Sequence, residues 1–197
     1  MNSKQAIALT GLVAATAGVS PLAFAQDSGW YLAVNLGQSN AKNGCPNLVA
    51  AGQSCDDISS AYGVFGGYQF NKYLGAEAGY TYLGEFTASQ SAMDLTNKVK
   101  GYELLGVGTF PINPQFEVYG KVGAFFWNVK ESCTGTCTFN SQTETGNKLT
   151  YALGAQYNFT KNVGGRVQYQ RYQDVGNAST TGQSDYDVLS VGVVFKF

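Results

Sequence analysis

The sequence predicts an all-β protein, an eight-stranded antiparallel up-and-down transmembrane β-barrel. Three observations lead to this fold class. Segments of about ten residues alternate between large apolar side chains and small or polar ones, which is the pattern of strands that cross a membrane. The connections between these segments are long and polar, then short, in turn. Aromatic residues collect near both ends of the segments, as they do at the two interfaces of a bilayer.

The clearest element is a hairpin over residues 62–84, in which two alternating strands flank a predicted two-residue turn at Asn71-Lys72. One face of this hairpin is aliphatic in its middle and aromatic at its ends. The other face is rich in glycine and carries one carboxylate, Glu77. Such a face is a poor solvent surface, but it fits the lining of a narrow barrel.

Six further strands are predicted by the same alternation, over residues 29–39, 98–110, 115–130, 149–159, 163–172 and 186–197. Long polar connections are expected over residues 40–59, 85–97, 131–147 and 173–185. Short turns are expected at residues 71–72, 111–114 and 160–162. Outer-membrane barrels have short periplasmic turns and long outside loops in this order. A soluble lipocalin-like barrel or a β-sandwich is the alternative, but glycine and alanine facing inward would not fill its core.

Two groups of aromatic residues favour the membrane barrel. One group lies at the short-turn ends of the strands: Tyr68, Phe70, Tyr73, Phe110, Phe116, Tyr157, Phe159, Phe195 and Phe197. The other lies toward the long connections: Tyr62, Tyr80, Tyr82, Tyr102, Phe126, Tyr151 and Tyr169. Their separation along the strands predicts two interfacial girdles.

The N-terminus has the features of a secretory signal peptide over residues 1–25. Lys4 precedes an apolar run, and Ala23-Phe24-Ala25 provides small residues for cleavage before Gln26. A membrane-anchoring helix is the alternative, but the run is short and Gly11 and Pro21 interrupt it. The barrel domain is therefore expected to cover residues 26–197.

Composition argues against several classes of function. The chain has 197 residues, a formal net charge of −1 and no histidine. Without a basic block, nucleic acid is not an expected partner. Without histidine, the commonest general base and metal ligand is missing, so neither an enzyme nor a cofactor is predicted.

The cysteines lie in two of the expected loops, Cys45 and Cys55 in the first and Cys133 and Cys137 in the third. In an exported protein they predict two loop-local disulfides that face the outside. Pairing between the two loops remains an alternative. A metal or haem site would need histidine or a CxxC spacing, neither of which is present here.

Longer stretches of the chain resemble a known family, the eight-stranded transmembrane domain of outer-membrane protein A. The first strand is similar over GWYLAVNLGQS, the second hairpin over GVFGGYQFNKYLGAEAGYTYLG, and the third over GYELLGVGTFPINPQFEVYGKVGAFFW. Toward the C-terminus the resemblance covers GGRVQYQRY and the last strand. It implies a bacterial outer-membrane protein that contacts outer-membrane lipid and lipopolysaccharide.

The resemblance also implies how the barrel is assembled and where it stops. Phe197, with Phe195 two residues before it, resembles the signal that the barrel assembly machinery recognises in its clients. Longer members of the family continue into a periplasmic peptidoglycan-binding domain. This sequence stops at Phe197, so that activity is not expected.

The resemblance further implies an ion pair in the barrel interior. Glu77 and Arg166 face inward by parity and match the carboxylate and arginine that plug the barrel in that family. The plug's alternative partners, a lysine and a second acid, align with Val107 and Gln156, so the pair is expected to stay locked. Lys121 is also inward and is the one cation that could compete for Glu77.

These observations predict a non-enzymatic outer-membrane barrel. Its expected role is structural, in membrane integrity, with surface loops that mediate adhesion or recognition of an unknown ligand. The alternative is a small channel or a transporter of apolar solutes. An interior filled by Phe65, Leu105, Tyr119, Phe125 and Arg166 favours the structural role, whereas a continuous polar lumen would favour transport.

Overall fold

The computed structural model describes residues 28–42, 54–55, 58–90, 93–135, 141–177 and 182–197. Nine β-strands lie within these residues: β1 (Gly29–Lys42), β2 (Ser54–Cys55), β3 (Ile58–Gln69), β4 (Leu74–Gln90), β5 (Met93–Pro111), β6 (Phe116–Gly135), β7 (Ser141–Asn158), β8 (Val163–Asn177) and β9 (Gly182–Lys196). The two-residue strand β2 pairs with the outer end of β4. The eight long strands form the wall of the barrel.

The wall is closed and antiparallel throughout, which confirms the predicted fold class. The strands follow the order β4-β3-β1-β9-β8-β7-β6-β5, and β5 pairs again with β4 to close the ring. The chain of paired residues that starts at Gly29 of β1 and passes once around the wall returns to β1 at Ser39. The strands are therefore staggered by ten residues around the barrel. A stagger of this kind means that the strands are tilted by about 40° from the barrel axis.

The alternation predicted from the sequence sets the two faces of the wall. On β9, for example, Val193 is 42% exposed and Ser190 is 6% exposed. The outward side chains form an apolar band, because aliphatic residues such as Leu104 and Leu153 lie between the two aromatic groups. The inward side chains include polar and charged residues such as Glu77, together with aliphatic and aromatic residues such as Leu105 and Phe125. The bilayer therefore meets hydrocarbon, and the polar groups satisfy one another inside.

The strands are longer than predicted, so parts of the expected loops belong to strands. β4 and β5 stay paired as far as Gln90 and Met93, so most of residues 85–97 is hairpin. β6 and β7 likewise stay paired as far as Ser132 and Ser141. The first and last connections are shortened in the same way. Outside the bilayer a strand no longer needs apolar side chains. The change from apolar to polar residues along the sequence therefore indicates where a strand leaves the membrane, not where the strand ends.

The short turns share one hydrogen-bond pattern. The first connects β3 to β4 through residues 70–73, four residues and not the predicted two. The Asn71 side-chain oxygen accepts hydrogen bonds from the backbone N–H groups of Tyr73 and Leu74 at 2.8 and 3.0 Å. Asn113 and Thr160 cap the other two turns in the same manner. The side-chain oxygens satisfy backbone donors that the ladder cannot reach.

Inward glycines make room for large neighbours in the lumen. A Cβ atom at Gly67 would lie 2.2 Å from the Tyr31 ring, and one at Gly154 would lie 2.4 Å from Tyr119. Gly84 has a different role, because it has φ +113° beside the bulge that interrupts the β4–β5 register. The glycines noted in the sequence thus leave the space that the aromatic side chains of the interior occupy.

Candidate functional site: the barrel interior

A buried cluster of charges crosses the lumen between β4, β6 and β8. The Glu77 carboxylate accepts from Lys121 Nζ through Oε2 at 2.6 Å and from Arg166 Nη1 through Oε1 at 2.9 Å. All three side chains are at most 2% exposed. The structure therefore brings together the three interior residues singled out from the sequence. Lys121 is a second partner of Glu77, so Glu77 and Arg166 are not an isolated pair.

Neighbouring polar groups hold this cluster in place. The Tyr31 hydroxyl donates to Glu77 Oε1 at 3.0 Å, and Arg166 Nε donates to the Asn35 side-chain oxygen at 2.8 Å. Arg166 and Lys121 also lie over the Phe65 ring, each 5.5 Å from its centroid. One carboxylate thus faces two cations, and the Phe65 ring and the Asn35 oxygen lie against the remaining positive charge.

A second buried carboxylate, Glu103, lies nearer the outer end of the lumen. It accepts from the hydroxyl groups of Thr81 and Tyr172 and from Gln170 Nε2, the last two at 2.7 and 2.6 Å. Among the residues that the structure describes, no cation lies within 4 Å of it. The sequence analysis missed Glu103 as a site residue, although its inward parity on β5 was a signal that could have found it.

Apolar side chains fill the lumen above Glu103. Phe125 packs against Tyr172 with ring centroids 4.7 Å apart, and both residues are fully buried. The same cluster contains Leu83, Val99, Trp127, Val129, Val175 and Tyr186. This apolar plug, as we call the cluster with Phe125 and Tyr172, lies inside the outer part of the wall. An ion on the barrel axis would have to pass both the charged cluster and the plug.

The residual space between these layers is small. A cavity of about 20 Å³ lies beside Asn35, Thr81, Gln168, Gln170 and Ser190. That volume holds roughly one water molecule, and apolar side chains such as Phe65 and Val188 line the rest of it. At the short-turn end, Glu117 accepts from Gln156 Nε2 at 2.6 Å and from Lys196 Nζ at 3.3 Å. Side chains therefore occupy the lumen at several successive levels.

The other predicted site residues are the C-terminal phenylalanines and the cysteines. Phe195 and Phe197 are 41% and 68% exposed at the end of the chain. Cys133 is disulfide-bonded on β6. Cys45 and Cys137 lie outside the described residues, as does the predicted signal peptide, and of Cys55 only the backbone, in β2, is described. The pairing of the cysteines, the signal peptide and the assembly role of the C-terminal phenylalanines stay predictions.

In the described part of the chain, no group of three or more potential metal-binding side chains comes together. Across the same residues, no helix has the length and hydropathy to cross a membrane.

Comparison with known proteins identifies the family. The profile of the OmpA-like transmembrane domain matches residues 25–197. The chain belongs to the OmpA-like transmembrane domain family. Outer membrane protein A of Serratia marcescens is 34% identical over 203 residues, which cover 98% of this chain and 56% of the relative. The same protein of Yersinia pseudotuberculosis is also 34% identical, over 98% of this chain and 55% of its own length. The chain thus spans about half the length of these relatives.

Solved structures show the same fold as this OmpA-like chain. Ail, the attachment invasion locus protein of Yersinia pestis, was solved in complex with a heparin analogue and superposes with a TM-score of 0.58 at 16% identity, covering 87% of this chain and 100% of Ail. Neisserial surface protein A gives 0.62 at 16% identity, with the same coverage. The N-terminal barrel of Pseudomonas aeruginosa OprF gives 0.56 at 13%, again with the same coverage. With its family and its outer membrane protein A relatives, the OmpA-like chain is a bacterial outer-membrane protein.

Proposed function

We propose that this OmpA-like barrel is a closed structural element of the outer membrane, contributing to membrane integrity and presenting surface hairpins for adhesion or recognition. The observation that carries the proposal is the filled lumen. The charged cluster around Glu77 and the apolar plug around Phe125 block the axis at two levels. A water-filled channel needs a continuous polar path, and an apolar plug interrupts such a path.

Cells that lack the protein test the structural role against the channel role. In the structural role, loss of the barrel raises entry of a large apolar dye and leaves uptake of small solutes unchanged. In the channel role, loss of the barrel lowers uptake of small solutes. Complementation with the unmodified chain should restore the dye barrier. Uptake of small solutes that falls on deletion and returns on complementation would refute the structural role.

The long hairpins support the recognition part of the proposal. β6 and β7 have 20 and 18 residues, whereas a strand needs about nine to eleven residues to cross the bilayer. Their outer halves therefore project from the membrane. The Ail structure contains a heparin analogue, which makes a sulfated glycan a reasonable first ligand to test.

A shortened hairpin tests the recognition role. Residues 131–143 would be replaced by a short turn, and binding of whole cells to immobilised heparin would be measured. We expect binding to fall while the amount of folded barrel stays constant. Undiminished binding by the shortened variant would show that this hairpin is not the recognition surface.

Two partners complete the proposal. The exposed Phe195 and Phe197 at the end of β9 support recognition by the barrel assembly machinery during biogenesis. The apolar outer face between the two aromatic girdles supports contact with outer-membrane lipid and lipopolysaccharide.

A further inference from the structure

Three lysines form a compact patch on the outward face of β5 and β6. Lys98 and Lys100 lie two residues apart on β5, and Lys130 on β6 is directly opposite Lys98 in the register. All three side chains are exposed. Directly opposed side chains in a sheet have Cβ atoms about 5 Å apart, and positions i and i+2 of a strand lie about 7 Å apart. We call these three residues the lysine patch.

The patch has more positive charge than its surroundings neutralise. Like charges that face each other across a strand pair repel, so the Lys98–Lys130 pairing is unfavourable by itself. The neighbouring acid is Glu85, which binds Lys98 at 2.6 Å and also accepts from the Tyr82 hydroxyl. Among the described residues, no carboxylate lies within 4 Å of Lys100 or Lys130.

The opposite side of the barrel at the same end has balanced charge. There Arg171 makes two hydrogen bonds to Asp187, at 2.6 and 2.8 Å, and Lys42 lies 3.9 Å from the same carboxylate. Asp185 lies opposite Lys42 in the register, so two cations face two carboxylates. The outer rim is therefore not uniformly basic. The excess positive charge is localised on β5 and β6.

The position of the lysine patch along the barrel axis indicates which layer of the membrane it contacts. Tyr102 follows the patch on β5, two residues after Lys100 and nearer the short-turn end, and it pairs with Phe126 across the ladder. Its ring also packs edge-on against Tyr80 with centroids 5.6 Å apart. Aromatic side chains of this kind sit at the level of the headgroups. A lysine two residues from them, toward the outer end of the strand, extends its ammonium group into the phosphate layer of the outer leaflet.

We propose that Lys98, Lys100 and Lys130 bind the phosphate groups of a phosphorylated glycolipid of the outer leaflet. Each ammonium group supplies charge-assisted hydrogen bonds to phosphate oxygens, and a bound phosphate removes the repulsion between Lys98 and Lys130. The inference rests on the proposed orientation, with the long hairpins outside. It does not depend on whether the lumen conducts, so the two proposals can fail separately.

The test uses the full chain, refolded in detergent and mixed with bisphosphorylated lipid A. Binding would be measured by native mass spectrometry, with dephosphorylated lipid A as the second probe. The variant K100Q/K130Q removes two charges from the patch and leaves the Lys98–Glu85 pair intact. The matched control K72Q/K161Q removes two charges from the short turns at the other end. Both variants are checked for the heat-resistant mobility of a folded barrel.

We expect the unmodified chain to bind the bisphosphorylated lipid at least about tenfold better than the dephosphorylated one, because the loss of even one charged hydrogen-bonding group corresponds to about tenfold in affinity. K100Q/K130Q should lose this preference, and K72Q/K161Q should keep it. Equal binding of both lipids by the unmodified chain would overturn the proposal. Equal loss in both variants would also overturn it, because the effect would then be one of net charge. Displacement of the lipid by millimolar inorganic phosphate would overturn the proposal as well, because the patch would then be a site for small anions in general.

Discussion

Replacement of Glu77 by glutamine should destabilise the barrel strongly, because this one carboxylate faces two buried cations. Glu77 accepts from Lys121, Arg166 and the Tyr31 hydroxyl at 2.6, 2.9 and 3.0 Å. The substitution keeps the shape of the side chain and raises the formal charge of the Glu77–Lys121–Arg166 cluster from +1 to +2. Breaking a buried pair typically costs about 3 to 5 kcal/mol, since a charge stays buried without its partner.

The measurement is reversible urea unfolding of the barrel refolded in lipid vesicles, followed by tryptophan fluorescence. The control is Glu85→Gln, whose carboxylate is also bound by a lysine but is 45% exposed. That exposed pair should contribute less than about 1 kcal/mol. A cost for Glu77→Gln as small as that of the control would refute the assignment of Glu77 as the central counter-ion.

A double substitution separates the charge effect from simple loss of packing. Glu77→Gln combined with Lys121→Met returns the cluster to a formal charge of +1. The two substitutions should therefore couple, with the double variant more stable than the sum of the single effects by about 1 to 3 kcal/mol. Additive effects would mean that Lys121 and Glu77 do not act on each other in the folded barrel.

Three other predictions concern the wall, the outer rim and the N-terminus. Val193 lies on the outward row of β9, two residues from Phe195, and arginine there should cost up to about 2 to 4 kcal/mol in vesicle unfolding, which is the value for the bilayer midplane. Gly192→Ala should prevent normal packing of the barrel, since its Cβ would lie 2.1 Å from the Asn35 side-chain oxygen. The hydrogen bond from Lys98 lowers the pKa of Glu85. The stability that this pair contributes should be complete at pH values above the ordinary carboxyl pKa and should be lost as the pH falls through the lowered pKa. Glu85→Gln should abolish this acid dependence. The mature chain should begin at Gln26, and an intact mass of outer-membrane material that retains residues 1–25 would disprove cleavage there.

The wall of the barrel follows directly from the sequence, because the bilayer imposes a period of two on every spanning strand. Val193 and Ser190 lie on the predicted faces for this reason. The same rule fails outside the membrane, where solvent accepts polar side chains on both faces. Glu85 and Glu131, expected in loops, are therefore paired strand residues on β4 and β6.

The interior was less predictable, because parity gives the direction of a side chain but not its height. Glu77, Arg166 and Lys121 come from strands far apart in sequence, and only the ten-residue stagger of the wall places them at one level. The resemblance to the family implied a pair that had lost its usual alternative partners, and parity alone left open whether Lys121 could reach Glu77. The lysine that does reach Glu77 lies at another position of the wall. Glu103 also needed the register before its partners on β4 and β8 could be named.

The central claim is that the lumen is closed by the charged cluster and the apolar plug. Planar-bilayer recording of the refolded, unmodified chain tests it most directly. The structure predicts little conductance, and it predicts that Glu77→Gln changes the free energy of unfolding more than the conductance. Large, frequent openings of the unmodified protein that disappear in Lys121→Gln would contradict the claim and show that the charged cluster operates a channel.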